Sequence, residues 1–246
     1  TAAVKRFLPL AVVALVLVPS TIACGASNSL TGKTPTQILQ LASTASSHAK
    51  SFTFDGTTTQ GKSTGVIRGQ WAGSYEYLTM NFPAYATKGT IVFEPGKVYV
   101  KGTPFFLESQ LTPSSHTGYL TVKRWSDRWI SVSPGDRAYK SLHAMNVGAS
   151  MFAHLTAEKN VTLVGQKTIH GVACAVVSGT EASGAVTTDY VSLKAPHYFL
   201  RESTVSKNAK SASAAASSTT TVGHYGAKYH GPVVSHATPV SLTPLK

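Results

Sequence analysis

The chain has 246 residues, of which 42% are apolar, and carries a formal net charge of +12, from 22 Lys and Arg against 10 Asp and Glu. The apolar content excludes an intrinsically disordered chain, and the length suits one large domain whose core needs no disulfide staples. No run of Lys or Arg exceeds two residues. A net positive charge favours anionic headgroups or acidic wall polymers, but charge spread so thinly also reads as general solubility, and it argues against nucleic acid, which is met by a concentrated basic stripe.

Lys5 and Arg6 precede an apolar run over 7–18 that only Pro9 interrupts. The run fits a signal-peptide core and falls short of the roughly 20 residues that span a bilayer. Leu17-Val18-Pro19-Ser20-Thr21-Ile22-Ala23-Cys24-Gly25 then reads as a lipobox, with Thr21 where leucine is usual. Cleavage is expected between Ala23 and Cys24, and lipid attachment at Cys24. An uncleaved anchor and plain secretion are the alternatives. The expected division is a signal peptide over 1–23, a lipidated tether over 24–33 and a domain over 34–246. That places the protein on the extracytoplasmic face of a cell membrane, held there through acylated Cys24. Cys174 then has no cysteine partner and reads as a small buried apolar residue.

Thr34, Pro35 and Gln37 spell a capping box with proline in the first turn. The helix they start presents Ile38, Leu41, Ala42, Ala45 and Ala49 as one apolar face through Lys50. Period-two alternation predicts strands over 51–59, 64–71, 74–82, 88–94 and 97–101. The breaks between them are short and carry turn residues, such as Ala72-Gly73 and Glu94-Pro95-Gly96-Lys97, so neighbours should be antiparallel. Residues 102–134, with Pro104, Pro113 and Pro134, predict a long excursion with at most short elements. Trp125 and Trp129 within it form a basic aromatic patch facing headgroups, or else one of them closes the core while the cations are solvated. Residues 137–159 return to helical character, with Leu142, Met145, Met151, Phe152 and Leu155 buried and Gly148 dividing two short helices. Strands resume over 160–168, 171–179, 186–193, 198–206, 217–225 and 233–242. His170-Gly171 is a hairpin signal, and 207–216 reads as a long hairpin loop.

Motifs for chemistry are sparse. The ten acids are scattered, and no two are flanked as an acid–base pair. Gly-x-Ser-x-Gly, His-Glu-x-x-His and phosphate-cradling glycine loops are missing. Ser47-His48-Ala49-Lys50 matches Ser-x-x-Lys, but Ser-Asp-Asn and Lys-Thr-Gly do not follow. His224, His230 and His236 would stand about 20 Å apart along a strand at roughly 3.3 Å per residue. Only a turn at Gly231-Pro232 would bring two of them together. The expectation is a protein that is not an enzyme, with no cofactor and no metal site.

The lipobox, the capped first helix, the stretch from Gly89 through Phe93-Glu94-Pro95-Gly96 to Lys101, and Gly165-Gln166-Lys167-Thr168-Ile169-His170-Gly171-Val172 together carry a resemblance. The chain resembles the mycobacterial LppX–LprG lipoproteins and their LolA-like relatives. The resemblance implies an α+β fold: a strongly curved antiparallel sheet, a half-barrel of about 11 strands, wrapped over a few helices. It also implies an apolar cavity that binds or ferries lipid or lipidated glycan, with an envelope protein as a possible partner. Alternation nominates Ile67, Trp71, Leu78, Met80 and Phe82 as the cavity lining, with Gly65, Gly69 and Ala72 leaving room beside Ile67, Trp71 and Tyr75. Each buried methylene is worth roughly 0.8 kcal/mol, so an acyl chain needs no polar contact. The competing expectation is a solid core in an anchored interaction module.

Overall fold

The computed structural model describes residues 29–111, 122–206 and 216–239. The leader, Ala23 and Cys24 lie outside the described residues.

Helix α1 spans Pro35–Ser47. It starts as its sequence requires: the Gln37 amide donates to Thr34 Oγ1 at 3.3 Å and the Thr34 amide donates to Gln37 Oε1 at 2.9 Å. Its buried face differs from the expected one. Ile38, Leu39, Ala42 and Ser46 turn inward, whereas Leu41 keeps 37% of its surface exposed. A polar anchor sets this rotation. Ser46 Oγ accepts the Phe199 amide at 3.0 Å and the Tyr225 hydroxyl at 3.3 Å, so a buried serine docks the helix on the sheet.

A meander follows: β1 (Phe52–Gln60), β2 (Ser63–Ala72), β3 (Tyr75–Phe82), β4 (Thr87–Glu94) and β5 (Lys97–Gly102). Gly61, Gly73 and Gly96 take positive φ in the tight turns between them, where a side chain would be strained. The next stretch holds short elements, as its prolines suggest. It holds helix α2 (Pro104–Leu111) and a short strand β6 (Ile130–Val132). Helix α3 (Arg137–His143) and a 3-10 segment (Gly148–Thr156) come next, separated just before Gly148. The second half is β7 (Lys159–Ile169), β8 (Val172–Thr180), β9 (Val186–Ser192), β10 (Phe199–Val205) and β11 (Ala216–Gly223). His170 and Gly171 both have positive φ, as the two-residue hairpin requires. β10 and β11 pair directly; the loop expected over 207–216 lies, up to residue 215, outside the described residues.

All the strands join one open, curved sheet of 12 strands in the order β12-β6-β5-β4-β3-β2-β1-β11-β10-β9-β8-β7. Two departures from expectation occur at one edge. β6 is an additional strand, and the strand expected over 233–242 is reduced, among described residues, to β12 (Thr238–Pro239). β12 runs parallel to β6, the one parallel pairing among antiparallel ones. The segment leading into it carries Gly231-Pro232 and a bare Val233 that is 89% exposed, so it has little to bury. The helices and the 3-10 segment pack on one face of the sheet around Phe52, Phe106, Phe152 and Phe199, all buried. No helix among the described residues is long and apolar enough to cross a membrane.

Candidate functional site

Strand register sorts the inner face into rows. One row runs Phe54, Gly69, Leu78, Ile91, Val100 and Ile130 across β1 to β6. The next runs Phe52, Trp71, Glu76, Phe93, Val98 and Val132. Ile67, Trp71, Leu78, Met80 and Phe82 therefore share the inner face. Leu78 and Met80 are buried within the core, and Ile67, Trp71 and Phe82 pack against it partly buried. Ala72 and Tyr75 do not belong with them. They pair with each other on the opposite face, since residue 72 must point away from residue 71. Tyr75 is 44% exposed and meets Tyr229.

The small residues of this face are covered by rings. A Cβ at Gly65 would enter the Phe82 ring and one at Gly69 the Phe54 ring, while Gly89 and Gly102 both lie beneath Phe106. The glycines thus let aromatic side chains lie flat on the sheet.

Glu76 is the single acid in these rows and is fully buried. Its carboxylate accepts the Val147 amide at 3.3 Å and the Gly148 amide at 3.1 Å. These two amides lie at the start of the 3-10 segment, where helical carbonyls do not reach. Burial pushes Glu76 up to about 7 against the pull of the two amides.

Beyond β1 the inner face turns polar. The row through Met80, Ile67 and Gly56 continues as Thr220, Glu202, Asp189 and Val177. His154, Glu158, Asp189 and Glu202 converge there, each offering a ligand atom within 4.8 Å of the others. His154 comes from the 3-10 segment and Glu158 from the link into β7. Asp189 sits on β9, between Thr187 and Val191 in strict alternation. Glu202 arrives by a different route. A register shift lies between Phe199 and Arg201 in β10, so Glu202, rather than Arg201, joins Asp189 on the inner face. Such bulges re-aim side chains. A second shift, between Lys159 and Thr162, lies beside Glu158, with Asn160 at φ 52°. Gly179 makes room for the Glu158 carboxylate, which a Cβ there would strike.

His154 Nε2 lies 2.5 Å from Glu202 Oε2, and His154 Nδ1 is 2.8 Å from the Met151 carbonyl. Burial lowers the basicity of His154, but Glu202 outweighs it and the net shift is upward. Burial would raise Glu202, but His154 holds it low. Glu158 and Asp189 are both raised by burial; neighbouring acids push Asp189 further up, whereas Thr187 and Asp189 pull Glu158 partly back. Their four carboxylate oxygens and the Thr187 hydroxyl are buried without an aligned hydrogen-bond partner. The sequence hid this group because its members are spread over 154–202 and two of them lie beside bulges. Asp189 lies within a predicted strand, but apolar residues on both of that strand's parities hid which face is buried.

No protein-family model matches the chain, and no curated protein matches it in sequence. Solved structures do match it. The lipoprotein LppX of Mycobacterium tuberculosis superposes with a TM-score of 0.52 at 12% identity, covering 80% of this chain and 97% of that one. LprF of Mycobacterium bovis gives 0.52 at 14% identity, covering 82% of this chain and 97% of that one. The chain has the LppX–LprF fold. At such identities the likeness is one of architecture: an open, curved sheet over a few helices, as the sequence resemblance implied.

In this LppX–LprF fold the outer face carries a separate cleft of about 530 Å³ over β2 to β5, with Arg68, Lys88, Lys101 and Asp127 in its lining. Arg68 is already paired with Asp55 at 2.6 Å. The two tryptophans divide their roles: Trp125 packs against the core, and Trp129 lies 5.9 Å from the Lys101 ammonium. Cys174 is buried, and burial pushes its thiol up. His224 Nδ1 meets Thr53 Oγ1 at 2.9 Å. Among described residues His224, His230 and His236 are not gathered into a metal-ligating group.

Proposed function

We propose that this chain is an extracytoplasmic envelope lipoprotein that binds or carries acyl-chain cargo against the inner face of its sheet. The observation that carries the reading is the continuous apolar face from β1 to β6 under helical cover, in a fold shared with a lipoprotein. Cys24 is the proposed anchor. One acyl chain holds a protein only marginally at a membrane, whereas two or more hold it stably, so a multiply acylated Cys24 keeps the domain beside a lipid reservoir. Ile67, Trp71, Leu78, Met80 and Phe82 are the proposed contacts for the cargo, and the role is non-catalytic.

A second reading is an anchored interaction module with a solid core and an envelope protein as partner. It is favoured by the rings that cover Gly65, Gly69 and Gly89. Native mass spectrometry of the Cys24→Ser protein, purified from a lipid-producing host, separates the two. Cargo binding predicts a lipid adduct that Phe82→Arg and Leu78→Arg remove from protein still folded by circular dichroism. A lipid-free spectrum, together with a protein pulldown that survives delipidation, supports the solid module.

A further inference from the structure

We infer that His154, Glu158, Asp189 and Glu202 form a binding site for a divalent transition-metal ion of the Zn²⁺ or Mn²⁺ class. Their ligand atoms lie within 4.8 Å of one another. Donors held about 2.0–2.2 Å from one ion stand at most about 4.4 Å apart, so small side-chain rotations close the site. Asp189 is the decisive residue. It has 0% exposure, neither of its oxygens meets an aligned donor, and the group it faces is another acid, Glu158. Both oxygens of Glu158 and the Thr187 hydroxyl beside them are in the same condition. A buried carboxylate normally finds donors or a cation. Among the described residues no Lys, Arg or His lies within ion-pair distance of Glu158 or Asp189.

The histidine is oriented as a ligand would be. Its Nδ1 lies 2.8 Å from the Met151 carbonyl, an acceptor only, so Nδ1 carries the proton. Nε2 is then the atom presented to the acids, and a metal-bound histidine characteristically donates its other nitrogen to such a carbonyl. One imidazole with carboxylates suits Zn²⁺ or Mn²⁺ better than an all-oxygen Ca²⁺ cage. The ion has a way in, because the His154 and Glu202 side chains keep 39% and 15% exposure. Once bound, it ties the 3-10 segment and the entry to β7 onto β9 and β10. The site stands independently of the lipid reading, since none of its ligands is a proposed cargo contact.

The test uses the full chain, stripped with EDTA, dialysed and titrated with Zn²⁺ or Mn²⁺ by calorimetry and thermal unfolding. The expected result is a single equivalent bound and a rise in Tm. Asp189→Asn, nearly isosteric, should unfold in EDTA at or above the wild-type Tm. It should lose more affinity than the roughly 10–100-fold that an outer-shell change costs. X-ray absorption of the zinc-loaded wild type should show a first shell of nitrogen and oxygen donors with one imidazole. This readout stands even where the variant fails to fold. The inference is overturned if the wild type gains neither bound metal nor Tm, if Asp189→Asn binds as tightly as wild type, or if the zinc shell is dominated by several histidines.

Discussion

Glu76 and Asp189 are both fully buried acids on the inner face of one sheet, yet their surroundings differ completely. Glu76 lies in the apolar half and is met by two backbone amides of the 3-10 segment. Asp189 lies in the polar half among other acids, with no aligned donor for either oxygen. The first is a finished structural contact, a carboxylate satisfying amides at the start of a helical segment. The second is a carboxyl group whose buried oxygens lack the donors that Glu76 has, a condition that is common at functional sites.

The largest expected effect falls where the two halves meet. The Phe152 ring sits 5.0 Å from Phe52 in the apolar half and 5.9 Å from Phe199 in the other. Phe152→Ala should cost about 3–5 kcal/mol in urea unfolding. A loss below about 1 kcal/mol would mean that the halves do not share this core. Next is the pH response of Glu76. Its folded-state value of about 7 exceeds the ordinary carboxylate value of 4.5, so the native state binds the proton more tightly than the unfolded chain does. The associated stability is full below about pH 4.5 and is lost as pH rises through 7, by about 3 kcal/mol at most. Glu76→Gln lacks this loss, so subtracting its unfolding curve from the wild type's across pH 4–8 isolates the effect. An unchanged difference across that range would show that Glu76 does not titrate as assigned.

Gly69→Ala comes third. Its Cβ would meet the Tyr77 carbonyl oxygen and the Phe54 ring. Backbone cannot swing aside, so a destabilisation of about 1–3 kcal/mol is expected. No change in the urea midpoint would mean that the ring cover in the apolar half is loose. The smallest effect is at the edge of the helical cover. Thr34→Ala removes half of the capping box and should cost about 1 kcal/mol, with the Glu76 pH response left intact. A shift in that response would couple α1 to the 3-10 segment more tightly than their packing suggests.

Much of the fold was legible. The capping box at Thr34, the meander over 51–101, the interruption at Gly148 and the hairpin at His170-Gly171 are local signals, and the structure follows them. What failed was long-range. Leu41 lost its place on the buried face because Ser46 found Phe199 and Tyr225, residues more than 150 positions away. Ala72 and Tyr75 fell on the outer face because strict alternation governs β2 and β3. β6 was missed because a three-residue strand has too little periodicity to show.

The acid cluster divides along the same line. The sequence by itself determined antiparallel strands with a capped first helix, since period, turns and caps are properties of neighbouring residues; the curvature was implied by the family resemblance. Only the tertiary structure decided that Glu202 turns inward and Arg201 outward, because one extra residue in β10 reverses the alternation. Only packing decided that Gly179 leaves a hollow for Glu158, and that the chain after Gly148 carries His154 over both. A bulge is set by the pairing of strands, and pairing is not written in either strand alone.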